Sequence, residues 1–360
     1  MAATEFTVGH ALAVQRWRAN FASEPEKKMA LAKYMGTGEN APIVILKDLQ
    51  KQAGEKIIVD LFMKMTGDGI EGDNTIEGTA AEEALTTFSD SLFIDQRRKG
   101  TKSKGKMSEQ RVLYNMREKG KQALATWFAE DYDAQLMIYL AGARGVDTTL
   151  HVLTTFTGRA GNSLQSPDTG HLIYAGDATA KTDLDSSDTM TLDVIDKIVA
   201  QIETTDPAIM PIMVDGEQTY VLLMHPWQAF DLRKAISGND WMDIHKNADG
   251  KDNLIYKNAL GEHNGIVLQK HRNVIRFSDY GTGADQTAAR ALLIGSQAGM
   301  IAWGGSVAGI DRYSWNEETD DRGNALVVTV GAIYGCKGSY FNSKWYGRLA
   351  VDTYCDDPNT

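Results

Sequence analysis

A chain of 360 residues is long enough for two or three domains and a sizeable core. Its formal charge of −11, from 37 basic and 48 acidic residues, excludes a protein that coats nucleic acid, because neutralising phosphates takes a basic surface. A container whose wall merely faces nucleic acid is not excluded. Cys336 and Cys355 are too few for a disulfide framework, no run approaches the roughly eighteen apolar residues of a membrane span, and the start, MAATEFTVGHALAVQRW, lacks a signal-peptide pattern. The chain therefore reads as soluble and intracellular when made, with no membrane partner.

Residues 8–22 suit a short amphipathic helix with Leu12, Trp17 and Phe21 as contacts. Pro25, Gly36, Gly38 and Pro42 break the charged stretch that follows, so the start reads as an extended arm, with a neighbouring subunit the natural thing to tie it down. Residues 57–63 (IIVDLFM) and 85–94 (LTTFSDSLFI) read as strands. Between them Gly67, Gly69, Gly72 and Gly78 alternate with acids that include Asp68, Glu71 and Asp73. A linker of about twenty polar residues is too long for a tight hairpin and unusual as a structureless loop in a compact domain. It reads as an arm that leaves the subunit and meets another one. A basic cluster follows: Arg97, Arg98, Lys99, Lys102, Lys104 and Lys106. Such a run is ordinarily a solvated face; its functional reading is an electrostatic dock for an acidic surface of a neighbour.

A long helix is expected over 108–142, with Ser108 as cap, Glu109 at the positive end of the dipole and Gly142 as exit. Leu113, Met116, Gly120, Leu124, Trp127, Ala134 and Ile138 fall on one face, and such a helix would span roughly 50 Å. Gly120 weakens it unless it permits a bend or a close approach. Residues 143–190 are loop-like, 191–204 return to helix with Thr191 as cap, and 219–224, 266–269, 274–277, 291–294 and 325–334 read as strands around a helix at 227–236. An aromatic tail with Tyr340, Phe341, Trp345 and Tyr346 closes the pattern. Strands interleaved with helices give an α+β or mixed second domain.

Nothing in this pattern supplies chemistry. The histidines (10, 151, 171, 225, 245, 263 and 271) form no HExxH pair; His263 and His271 flank one strand, which leaves a shared metal open but unsupported. No GxSxG elbow and no phosphate loop occurs. Asp68, Glu71, Asp73, Asn74 and Glu77 could ligate calcium, but their spacing is not that of an EF-hand, and a solvated loop tip is the plainer reading. The expectation is no enzyme, no cofactor and no metal.

The order of arm, polar β-loop, long helix and α+β domain resembles the Hong Kong 97-type major capsid fold of tailed phages. It is most similar to the N-four-like podophage subfamily, through DLQKQAGEKIIVDLFMKMTGDGIEGDNTIEG, SLFIDQRRKG and WFAEDYDAQLMIYLAG, then YVLLMHPWQAFDLRKA, LGEHNGIVLQKHRNV and RALLIGSQAGMIAWGG. The resemblance implies an N-arm (1–47), an E-loop with flanking strands (48–106), a P-domain with its spine helix (107–190), an A-domain (191–305), and a return to the P-domain with a C-terminal tail (306–360). It also implies a function: a head protein of the virion, made in the host cytoplasm, whose hexamers and pentamers tile an icosahedral shell around double-stranded DNA. The implied partners are further copies of the chain, with scaffold, portal and decoration proteins. An encapsulin-like compartment is the alternative. The founding member cross-links through lysine; here 66–81 holds no lysine and Lys64 is the nearest, so self-cross-linking is not expected.

Overall fold

The computed structural model describes residues 29–50, 54–78, 81–112, 115–214, 216–236, 259–305 and 313–358. The arm residues Leu12, Trp17 and Phe21 lie outside that set. The architecture is α+β, with two large sheets joined by one long helix and three two-stranded ribbons beside them.

The helix runs Met116–Ala141. This corrects the expected start at 108: Lys106–Gln110 is a separate short helix in which Ser108 is internal, and Asn115 is the cap. Asn115 is extended (φ −73°, ψ 113°) and its side chain accepts from the Arg117 N–H, which satisfies one of the unpaired first-turn donors. Gly142 ends the helix at φ 64°; a Cβ there would sit 2.1 Å from the Gln165 carbonyl oxygen, so only glycine fits. With 26 residues the helix spans ~39 Å rather than 50 Å. Gly120 permits a close approach, since a Cβ there would lie 2.9 Å from the Thr101 methyl.

A single apolar stripe describes only part of this helix. Leu124, Ala134 and Ile138 are buried, but so is every residue from Asp131 to Ala141. The polar members of that stretch are partnered within the chain. Asp131 accepts from Arg97 Nη2 (2.7 Å), Gln135 Nε2 (2.8 Å) and the Tyr334 hydroxyl (2.8 Å). Asp133 accepts the Ala30 and Leu31 backbone N–H groups at 2.7 and 3.1 Å.

A six-stranded sheet lies along the helix. Its hub is Ala325–Gly338, which pairs in successive stretches with Tyr313–Asp320, Asp95–Lys102 and Gly299–Trp303, all antiparallel. Ile43–Leu46 extends it in parallel beyond Gly299–Trp303, and Met35–Gly36 follows. The segment read as a bare basic cluster is thus largely a strand. Arg-Arg-Lys-Gly-Thr-Lys lacks apolar alternation, and its pairing is fixed by a partner more than two hundred residues away.

The eight-stranded sheet has the order Gly261–His263, Ile266–Lys270, Glu217–Met224, Gln286–Ile294, Arg348–Tyr354, Leu172–Tyr174; Ile212–Val214 pairs with Glu217–Met224 and Arg276–Tyr280 with Gln286–Ile294. Its central strands are buried on both faces. Val221, Leu223, Leu292 and Ala350 belong to the core that surrounds the long helix, while Leu222, Met224, Leu293 and Val351 pack on the helix Leu192–Thr204 through Ile195, Ile198 and Ile202. That two-sided burial explains the continuous apolar runs VLLM and ALLI. Thr191 caps this helix as expected, accepting from the Val194 N–H. His225 caps Pro226–Ala235 through Nδ1, an acceptor role that needs the neutral ring; burial pulls its pKa down to about 4.

The sheet draws strands from outside 191–305. Arg348–Tyr354, near the end of the chain, is an interior strand, and Leu172–Tyr174 joins it in parallel. Two arginines weld this sheet to the helix. Arg290 holds Asp352 with two hydrogen bonds of 2.7 Å and donates to the Ala141 carbonyl (3.0 Å). Arg348 donates to the Tyr139 and Leu140 carbonyls at 2.5 and 2.7 Å. Cations at unpaired last-turn carbonyls complement the negative end of the helix dipole.

Candidate assembly surfaces

Lys56–Phe62 and Thr87–Phe93 pair in antiparallel register from Lys56–Phe93 to Phe62–Thr87, forming a two-stranded ribbon that carries the polar loop outward. The base of the ribbon is fixed. Ile57 and Leu92 are buried against Leu49, Met300 and Ala302. Asp90 pairs with buried Lys337, and Asn162 exchanges two hydrogen bonds with the Phe93 backbone at 2.8 and 2.9 Å.

Further out the alternation of strand side chains leaves one face bare. Ile58 is 59% and Phe62 67% exposed, and Met65, Ile76 and Leu85 continue this apolar surface into the loop. Gly67, Asp68, Gly69, Glu71, Gly72, Asp73 and Gly78 are all exposed. The loop's own hydrogen bonds close on the loop: the Thr66 N–H donates to Glu83 and the Gly78 N–H to Glu82, both at 3.0 Å, and the Asn74 side chain to the Glu71 carbonyl at 2.8 Å. Gly72 and Gly78 have φ of 65° and 73°, a backbone that favours glycine. Among the described residues no group of three or more His, Cys, Asp or Glu side chains is placed to hold a metal, the loop acids included.

The basic cluster divides. Arg97 is turned inward, bonded to Asp131 and lying 5.3 Å from the centre of the Trp127 ring, over which Lys99 Nζ also sits at 5.3 Å. Lys102 pairs with Asp320 of the same chain. Each of these two thus has an acidic partner within its own chain, and strand alternation turns the half-buried Arg97 toward the long helix, where the buried Asp131 carboxylate accepts from it. Arg98, Lys99 and Lys104 are exposed. The sequence showed the charges but not their direction, because strand 95–102 carries no apolar marker of its inner face.

Several described histidines have partners within the fold. His171 is buried with Nδ1 2.9 Å from both Asp168 oxygens, His263 meets Asp196 at 3.1 Å, and His271 accepts from the Asn273 N–H at 3.2 Å with its pKa pulled down to about 4 by burial. His10 and His245 lie outside the described residues. Cys336 and Cys355 are buried free thiols, each pushed up to about 12 chiefly by burial and so unreactive. No helix among the described residues is long and apolar enough to cross a membrane.

A family model described as phage capsid protein matches residues 5–355. The major capsid protein of Pseudomonas phage KPP25 is 25% identical over 339 residues, covering 89% of this chain and 87% of that protein. The capsid of Ralstonia phage GP4 superimposes with a TM-score of 0.85 and 37% identity over the whole of both chains. The Cyanophage Pam1 capsid, 21% identical with a TM-score of 0.71 over 98% of this chain and 96% of that one, shares the fold.

Proposed function

This chain belongs to the phage capsid protein family, and on that premise we propose that it is the major head protein of a tailed phage, with copies of itself as its principal partner. Hexamers and pentamers of it would tile an icosahedral shell around double-stranded DNA, and its place would be the virion. The observation that carries this reading is the match, over the full length of both chains, to the capsid of Ralstonia phage GP4. The physical counterpart is the ribbon, anchored at its base by Asp90, Lys337 and Asn162, whose outer apolar face is left exposed at Ile58 and Phe62 among the described residues. Head-to-tail contacts between such subunits close into rings, and many weak contacts per subunit act together.

In this reading 48–106 is the E-loop region, Met116–Ala141 the spine of a P-domain with the six-stranded sheet, and the eight-stranded sheet the A-domain. The role is structural rather than enzymatic; scaffold, portal and decoration proteins would be transient or accessory partners. Negative-stain microscopy and sedimentation of the protein, co-expressed with its scaffold or taken from virions, test the proposal. Closed shells that protect DNA from nuclease are expected. Shells filled with protein cargo would favour a compartment of the encapsulin kind, and monomers or small rings alone would refute assembly.

A further inference from the structure

Besides the two-residue end strand Met35–Gly36, the six-stranded sheet has two edge strands, Asp95–Lys102 and Tyr313–Asp320, each paired only with Ala325–Gly338 among the described residues. They carry opposite charge. The first margin presents Arg98, Lys99 and Lys102 and continues into Lys104 and Lys106; the second presents Glu318 and Asp320 and continues into Asp321. Register places them across one intervening strand: Lys102 is opposite Val327, which is opposite Glu318, and Arg98 is opposite Gly331, which is opposite Ser314.

The two margins match, and within one chain they are too far apart to satisfy each other. Two strand spacings separate them by ~10 Å. Only at the tip does a pair close across the sheet, Lys102 with Asp320. Glu317 is taken by Arg117 at 2.7 Å. Arg98 and Lys104 on one side, and Glu318 and Asp321 on the other, remain exposed. A charged edge strand by itself is a common protection against unwanted strand pairing. Opposite signs on the two edges of one sheet do something different, because two copies then attract in head-to-tail order and repel edge to like edge.

We propose that the acidic margin Tyr313–Asp320 of one subunit docks against the basic margin Asp95–Lys102 of a second copy, a heterologous contact that fixes the direction in which subunits follow one another. This rests on the shell-forming reading above and names one of its contacts. It assigns the exposed cations to the neighbour's sheet margin and not to the neighbour's acidic loop. The contact acts through steering and register and weakens with salt.

Charge inversion tests it in the full-length chain under conditions where the wild type forms shells. Glu318→Lys with Asp320→Lys makes both margins positive; Arg98→Glu with Lys102→Glu and Lys104→Glu makes both negative. Each set alone should cut shell yield by roughly tenfold or more at low salt, with the circular dichroism of the soluble subunit unchanged. The chain carrying both sets should recover, and it should assemble with itself while failing to co-assemble with tagged wild-type subunits, since mixed contacts join like charges. Full yield from either single set would overturn the proposal. So would failure of the combined set to recover, or recovery of the basic-margin variant by inverting the loop acids Glu71 and Asp73 instead. Failure of the wild type itself to form shells would count against the shell-forming reading and not against this contact.

Discussion

The long helix and the projecting ribbon treat difficult residues in opposite ways. On the helix, Asp131, Asp133 and Gln135 are buried, and each has partners from its own chain. On the ribbon, Ile58 and Phe62 are apolar yet exposed, and the loop beyond folds its hydrogen bonds back on itself. A buried charge without a partner costs several kcal/mol, so the helix must be completed within one subunit. An exposed isoleucine costs far less and can wait for a neighbour. The comparison separates what folds the subunit from what, in the proposed shell, would join subunits.

Substitutions sharpen it when ranked by their effect on the isolated subunit. Asp352→Ala strands the Arg290 guanidinium in the core and should destabilise the subunit by about 3–5 kcal/mol in denaturant unfolding. Leu92→Ala, on the covered side of the ribbon, should cost about 2–5 kcal/mol. Equal stability of Leu92→Ala and wild type would mean that the ribbon is not anchored at its base.

Asp133 gives a smaller, pH-dependent effect. Burial pushes its carboxyl up to about 6 against the lowering effect of the Ala30 and Leu31 amides. The folded subunit then holds a proton that the unfolded chain releases at its ordinary carboxylate pKa, so this group's contribution to stability falls as pH rises from about 4 to 6. Asp133→Asn should flatten that part of the pH–stability curve by about 1–3 kcal/mol.

The smallest effects on the subunit belong to the ribbon's outer side. Phe62→Ser should change subunit stability by less than about 0.5 kcal/mol yet impair shell formation. Replacing 66–84 by a short Gly-Ser turn should leave circular dichroism and melting temperature nearly unchanged while shells fail or become fragile. Ordering each backbone residue costs roughly 1–2 kcal/mol, which so polar a loop cannot recover alone. A subunit that unfolds without its loop would erase the distinction between the two regions.

The sequence made some of this legible for local reasons. IIVDLFM and LTTFSDSLFI are apolar runs bounded by glycine and acid, and Thr191 with its i, i+3 and i+4 pattern announces the helix that follows. The start of the long helix was misplaced because Ser108–Glu109 imitates a cap, whereas the working cap is Asn115. Strand 95–102 was hidden because its polar residues owe their conformation to distant pairing. At the candidate surfaces the acids and glycines of the loop were visible, but the exposure of Ile58 and Phe62 was not. A strand of apolar residues on both faces does not say which face is covered. Nor did Arg97 reveal that its carboxylate partner lies on the helix.

The strand Arg348–Tyr354 sits between Gln286–Ile294 and Leu172–Tyr174. During synthesis, Leu172–Tyr174 leaves the ribosome long before the strand that receives it, at a pace of about 5–20 residues per second. Until then the second sheet has an open seam and Asp352 has not reached Arg290. A nascent chain that lacks Arg348–Tyr354 therefore has its second sheet split where that strand belongs, so the sheet closes only late in synthesis.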